Sequence, residues 1–342
     1  MSPDLADIAR KAHEPDERLL RSLATFDGDL VVLGAGGKMG VSLARMASAA
    51  FAALPGDRQV YAVSRFSDGA ASDARAELDS AGVATIAVDV EDESAWNRLP
   101  DAPNVVYMIG RKFGTSGDSA TTWATNAYLP GRLALRYAGA RIAAFSSGNV
   151  YPFTPAMSGG AHESTAPDPV GEYAQSCLGR ERVLTYHASK TGSPVSIIRL
   201  NYAIDCRYGV LTDIAVAVRN GDPVDVSTGA VNVIWQGDAN RYALSTLAMA
   251  DRPPFVLNVT GPETASVRWL ADQLGSRLGR EPVFVGEEQP TALLSNAGRC
   301  FGLFGYPSVS LDEMLDWTVI WLEAGGTLLG KPTHFTERAG RF

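Results

Sequence analysis

The stretch Asp29-Leu30-Val31-Val32-Leu33-Gly34-Ala35-Gly36-Gly37-Lys38-Met39-Gly40 joins a short apolar run to a cluster of glycines. An apolar run that ends in glycines predicts a buried strand over 29–33. After Gly40 the chain is rich in Ala, Leu and Met, which predicts a helix over 41–53. Gly34, Gly37 and Gly40 therefore stand at spacing zero, three and six between a strand and a helix. That pattern suits a dinucleotide. The first glycine permits a tight turn, the second lets backbone approach the pyrophosphate at the helix N-terminus, and the third lets helix and strand pack closely. Gly36, Lys38 and Met39 lie in the same turn and are expected at the cofactor. Glycines also mark plain turns, so the reading depends on what surrounds them.

Strands are expected over 59–64, 83–90, 104–109, 141–146 and 195–200, with helices over 71–81, 120–138 and 173–189. This alternation predicts an α/β protein: a Rossmann-type doubly wound parallel sheet, with ligands at the strand C-terminal ends. Beyond residue 203 the rhythm loosens. Helices over 210–220, 267–278 and 311–323, joined by Pro/Gly loops, predict a smaller, mainly helical C-terminal cap. The expected division is an N-terminal helical arm over 1–27, with its helix near 14–23. A dinucleotide-binding domain follows over 28–202, and a cap over 203–230 and 261–342. Residues 231–260 are expected to return to the main sheet through strands at 231–234 and 254–258.

The chain has 342 residues, 46% hydrophobic and 20% charged, with a net charge of −8. That length buries a substantial core without staples. The acidic balance argues against a nucleic-acid surface. Cys177, Cys206 and Cys300 have no paired spacing, and His13, His162, His187 and His334 are scattered, so neither a disulfide framework nor a metal site is expected. No apolar stretch reaches ~18 residues, so no membrane partner is expected, and a cytoplasmic enzyme is the plain reading.

The end of the second strand selects between cofactors. An acid there would hold the ribose 2′-OH of NAD. This chain has Ser64 and Arg65 instead, and a guanidinium suits a 2′-phosphate. Lys38 could add a second cation. NADP is therefore favoured, with NAD as the alternative; the competing reading is that Arg65 is merely solvated.

With these motifs in order, the chain resembles the extended short-chain dehydrogenase/reductase family, the NAD-dependent epimerase/dehydratase group, over about residues 28–325. The likeness rests on the glycine turn, Asp89-Val90, Asn126, Phe145-Ser146-Ser147-Gly148-Asn149-Val150-Tyr151, Glu163, Pro169, Tyr173, Ser176, Glu181 and Asn258-Val259-Thr260-Gly261. It implies that Asp89 and Val90 flank the adenine and that Asn126 lies beneath the active site. It also implies that Ser147 is the catalytic serine and Tyr173 the acid/base tyrosine. The family exchanges hydride between a nicotinamide and a carbinol carbon, often on sugar or nucleotide-sugar substrates. A homodimer through the helices at 120–138 and 173–189 is the default.

One letter departs from that pattern. The family motif puts a lysine four residues after the tyrosine, on the same helix face, and Cys177 stands there. Bringing a phenol from pKa ~10 to ~7 takes ~4 kcal/mol of differential stabilisation, which a neutral thiol cannot supply. Three explanations compete: another cation substitutes, with Arg180 two turns away and Arg111 or Lys112 opposite; Tyr173 stays protonated and acts as an acid or donor; or Cys177 itself reacts. Gly110-Arg111-Lys112 follows the fourth strand, where loops bind ligands. Gly110 is therefore expected at the cofactor. Arg111 and Lys112 are expected at a substrate anion, against the reading of a solvated loop. Asn149, Tyr151 and Asn201 are expected at the substrate. The function expected is NAD(P)-dependent oxidoreduction, or epimerase/dehydratase-type chemistry, on a small hydroxylated, sugar-like substrate. The alternatives are a non-redox isomerase or lyase with bound cofactor, and a cofactor-sensing protein without turnover.

Overall fold

The computed structural model describes residues 4–67, 69–115 and 117–342. Seven parallel strands form the central sheet: β1 (Leu30–Leu33), β2 (Val60–Ser64), β3 (Ala84–Ala87), β4 (Asn104–Tyr107), β5 (Arg141–Ser147), β6 (Val195–Leu200) and β7 (Phe255–Val259). Their spatial order is β7-β6-β5-β4-β1-β2-β3. The order reverses between β1 and β4, so a crevice opens there at the strand C-terminal ends.

Apolar residues on both faces require helices on both. One face packs under α2 (Glu17–Leu23), α3 (Gly40–Ala52) and α9 (Gln236–Ser245), through Leu19, Leu23, Leu43, Met46, Tyr242 and Leu244. The other packs under α6 (Leu129–Arg136) and α7 (Gly171–Thr191), through Leu129, Leu133, Leu184 and Ala188. A separate core joins α8 (Val210–Asn220), α10 (Val267–Leu278) and α12 (Leu311–Glu323), and Ile8 of α1 (Leu5–Lys11) enters it beside Trp235. Residues 5–23 thus hold two short helices, one packed on each core. Among the described residues no helix is long and apolar enough to cross a membrane.

Two expectations are corrected. The helix expected over 120–138 is broken. Ser119–Trp123 is α-helical, Ala124–Tyr128 forms a π-helical turn, and α6 then restarts with a proline in its first turn. Pro130 has no N–H to give to the preceding turn, so the regular bonding pattern cannot run through it. Residues 231–234 do not rejoin the main sheet. Ala230–Val231 pairs with Ala265–Ser266, and Ile234–Trp235 pairs with Ala203–Ile204. Only Phe255–Val259 returns, as the edge strand beside β6.

Candidate active site

The ends of β1 to β4 open on one long cleft. Gly34, Gly36, Gly37, Ser64, Arg65, Asp89, Val90 and Gly110 line it. Gly34 has φ +90°, which a side chain would strain. A Cβ on Gly40 would lie 2.5 Å from the Ala35 carbonyl oxygen, so helix α3 packs on the turn only because Gly40 has none. The N-terminus of the 13-residue α3 faces the glycine turn, a favourable place for phosphates. The residues present therefore fit the pyrophosphate and adenosine of a pyridine dinucleotide.

Three expected cofactor residues behave differently. The Met39 side chain packs against the sheet core, so only its backbone belongs to the turn. The Lys38 ammonium donates to the Ala203 carbonyl at 2.7 Å and lies 3.9 Å from the centre of the Tyr208 ring. Ala203 follows β6, on the opposite side of β1 from β2, so Lys38 does not join Arg65 as a second cation. Burial pushes Lys38 down to about 7, against the pull of Asp205. Asn126 is fully buried and spends its side chain on protein. Its Oδ1 accepts from the Arg111 N–H and Arg180, and its Nδ2 donates to the Arg111 carbonyl and Ser176. It lies beneath the cleft and clamps the β4 loop to α7. The π-helical turn that carries Asn126 aims it there.

Ser147 ends β5 and caps the single turn Gly148–Val150. Its hydroxyl accepts from the Asn149 N–H and donates to Asn149 Oδ1, both at 3.1 Å. Tyr173 stands in the first turn of α7, close enough to Ser147 for a hydrogen bond that favours its ionised form. Burial outweighs that bond and raises the phenol well above the usual tyrosine range. Cys177 is buried in the same small cluster, with Val150, Tyr151 and Leu178. Burial raises its thiol too. A reactive thiolate needs the opposite setting, so Cys177 is a packing residue.

The cation nearest in effect is Arg180. Its guanidinium is buried and donates to the Asn126 and Phe145 carbonyls and to Asn126 Oδ1, at 3.0, 2.7 and 3.1 Å. No carboxylate is among these partners. The neighbouring acid, Glu181, is engaged by Arg199 and Ser146. The Arg180 charge favours the ionised forms of both Tyr173 and Cys177. Two helical turns look far on a diagram. The long side chain folds back beneath Gly110, where a Cβ would lie 3.0 Å from Arg180 Nη2.

Below the pair runs a buried network. Glu181 and Arg199 form two bonds, 3.0 and 2.6 Å, with both side chains 7% exposed. Arg199 also donates to the Tyr151 hydroxyl at 2.8 Å, which donates to Asn258 Oδ1 at 2.8 Å. The Asn258 N–H in turn donates to Glu163. This ties β5, β6, β7 and α7 together under Ser147. Tyr151 is therefore buried with its hydroxyl committed to protein. Asn201 is likewise buried, with its amide donating to the Leu293 carbonyl. These two substrate expectations are corrected to positioning roles; Asn149 remains half-buried in the wall beside Ser147.

The basic pair after β4 divides. Arg111 turns back to Asp118 at 3.0 Å and holds its own loop, at the lining of the cleft. Lys112 turns inward. Its ammonium donates to the Thr333 carbonyl at 3.2 Å and lies 4.8 Å from the centre of the Phe342 ring. Burial pushes it down to about 8, opposed by a charge interaction with Cys177.

One contribution went unread in the sequence, and a second, the polar tail from Lys331 onward, reads there only as a segment to cover the cleft or a dimer partner. Arg199 is a lone charge inside the apolar strand Val195–Leu200, a sign that an acid must meet it. Residues 331–342 carry no motif, yet they reach Tyr173: the Phe342 ring stands edge-on to the phenol, 5.5 Å between centres.

Solved structures with this architecture include the UDP-glucuronic acid 4-epimerase of Bacillus cereus in complex with UDP-glucuronic acid and NAD. It is 17% identical, with a TM-score of 0.71 over 86% of this chain and 99% of that one. The UDP-glucose 4-epimerase of Thermotoga maritima, solved with UDP-glucose, is 19% identical, with a TM-score of 0.69 over 87% of this chain and 99% of that one. At such identities the likeness concerns the fold. No curated protein sequence matches the chain. The model of the NAD dependent epimerase/dehydratase family matches residues 30–204, just over half of the chain, which therefore belongs to that family of extended short-chain dehydrogenase/reductase enzymes.

Proposed function

We propose that this enzyme uses NAD or NADP to oxidise or reduce a carbinol carbon of a small, hydroxylated, sugar-like acid. The feature that carries the reading is Ser147 at the end of β5 with Tyr173 in the first turn of α7, close enough to share a hydrogen bond. When bound, the nicotinamide supplies the hydride acceptor or donor. Ser147 and Tyr173 hydrogen-bond the substrate oxygen, and Tyr173 gives or takes its proton. Lys112 faces the same space with a cation for the substrate's carboxylate. The Arg180 guanidinium favours the ionised form of the phenol when its proton is given up.

The test is hydride exchange with a panel of sugar acids and deuterium-labelled cofactor. Label found in the reduced product supports the reading. No exchange with any acid that binds would sink it. Label that returns to the starting carbon with inverted configuration would favour the epimerase form.

The raised phenol also sets a pH signature. Below its pKa the protonated form is nearly constant, so kcat for reduction at saturating substrate should stay flat from about pH 6 to about pH 9, while KM rises above about pH 8 as Lys112 loses its charge. The tyrosinate fraction grows about tenfold per pH unit over the same range, so oxidation should rise with slope one on a logarithmic plot. Initial rates in both directions check this, and a bell-shaped profile centred near neutrality would contradict it.

Arg65 is exposed at the end of β2, where it can meet a 2′-phosphate. Arg65→Ala should weaken NADP by about 10-fold or more and NAD by less than about twofold, since a charge-assisted pair to phosphate contributes ~1.5–3 kcal/mol. Fluorescence titration of the reduced cofactors measures both, and equal losses would remove the preference for NADP.

A further inference from the structure

Residues 331–342 have no regular secondary structure, yet they are tied down along their length. Thr333 is buried. Its N–H and hydroxyl donate to Asp213 of the cap at 2.8 and 2.6 Å, and its carbonyl accepts from Lys112. Arg338 donates to the carbonyl and hydroxyl of Thr291 at 2.6 and 2.7 Å and lies over the Phe153 ring. Gly340 rests on the start of α7, where a Cβ would lie 2.4 Å from the Val170 carbonyl oxygen. The Phe342 carbonyl accepts from the Thr115 N–H and hydroxyl at 3.0 and 3.2 Å. The segment thus spans from the cap to the β4 loop and passes directly in front of Tyr173.

We infer that residues 331–342 are a specificity wall that shuts out substrates carrying a nucleoside diphosphate and leaves room only for a short, single-ring or open-chain substrate. This inference rests on Ser147 and Tyr173 being the reacting pair. Asn149, Tyr151 and Phe153 line one small space together with Glu337, Arg338, Gly340 and Phe342, so a substrate that extends past them meets the segment. Charge points the same way. A pyrophosphate seeks cations or free N–H groups. Among the described residues lining this route the single cation is Arg338, which is already bonded to Thr291, and Glu337 adds a negative charge. An acid no larger than a monosaccharide needs none of this space, because Lys112 lies inside the wall.

Two variants lift the wall without touching the reacting pair. Gly340→Ala drives a methyl into the Val170 carbonyl at a φ of +73°. Arg338→Ala removes the Thr291 anchor. Titration calorimetry with NAD present would use UDP, UDP-glucuronate and free glucuronate as probes, and limited proteolysis would report release of the segment. The wild type should bind UDP no tighter than about 1 mM, and variants whose segment becomes protease-sensitive should bind it at least about tenfold tighter. Micromolar UDP binding by the wild type with the segment still protected would overturn the inference. So would released variants that bind UDP no better. Hydride exchange with small acids is scored separately. Its absence would remove the reading of the reacting pair, whereas the UDP comparison speaks only to the wall.

Discussion

Tyr173→Phe should lower turnover by about 10²–10⁴-fold, the usual contribution of one positioned acid or base. The substitution removes one oxygen and keeps the ring, which packs in the cluster of Val150, Cys177 and Leu178 and against Phe342. Folding and cofactor affinity should therefore stay close to wild type. What is lost is the proton that the substrate oxygen must receive during reduction. Ser147 cannot replace it, because a serine hydroxyl is a poorer acid and is already shared with Asn149. Single-turnover rates with saturating cofactor measure the effect without interference from product release. Unchanged turnover would show that Tyr173 is not the proton donor. A protein that binds cofactor but turns nothing over in either form would be a sensor.

The second large effect concerns stability. Glu181→Ala should cost about 3–5 kcal/mol, because it leaves the buried Arg199 guanidinium without its counter-charge. Two bonds to Arg199 and one to Ser146 disappear together. Arg199 would still hold the Tyr151 hydroxyl, but that is a neutral partner and does not offset a buried charge. The Glu181→Gln variant keeps the shape and part of the hydrogen bonding, so its loss should be smaller. Urea midpoints for the three proteins check the ordering, and a Glu181→Ala loss below about 1 kcal/mol would show that water reaches the pair. Because this network lies under β5, the variants should also loosen Ser147. Their activity at low temperature should fall through kcat before KM.

Local patterns were legible where local forces decide. The helices over 210–220, 267–278 and 311–323 appear with those bounds. Each carries its own stop and start signals. Gly221 and Gly279 close α8 and α10 in left-handed conformation, and Ser310 with Glu313 forms a capping box that opens α12. The segment over 120–138 misled because its Ala and Leu residues read as one helix, while Pro130 and the packing of Asn126 impose a different hydrogen-bond pattern. Residues 231–234 misled because an apolar quartet does not say which strand it will meet.

Sequence alone determined the sheet and the glycine turn, since each follows from backbone geometry or from residues a few positions apart; Ser147 and Tyr173 stand as the proposed reacting pair through the family resemblance. The destinations of the charged side chains were decided only by the folded chain. In the sequence Lys38, Arg111 and Lys112 read as cations at the cofactor edge, and Arg180 as one two turns from Tyr173. In the structure Arg111 is spent on Asp118, seven residues away. Lys38 meets Ala203 from 165 residues away, Lys112 meets Thr333 from 221, and Arg180 meets Asn126 from 54. A long flexible side chain goes where carbonyls and carboxylates compensate its lost hydration, and those partners are brought together by the packing of the whole molecule.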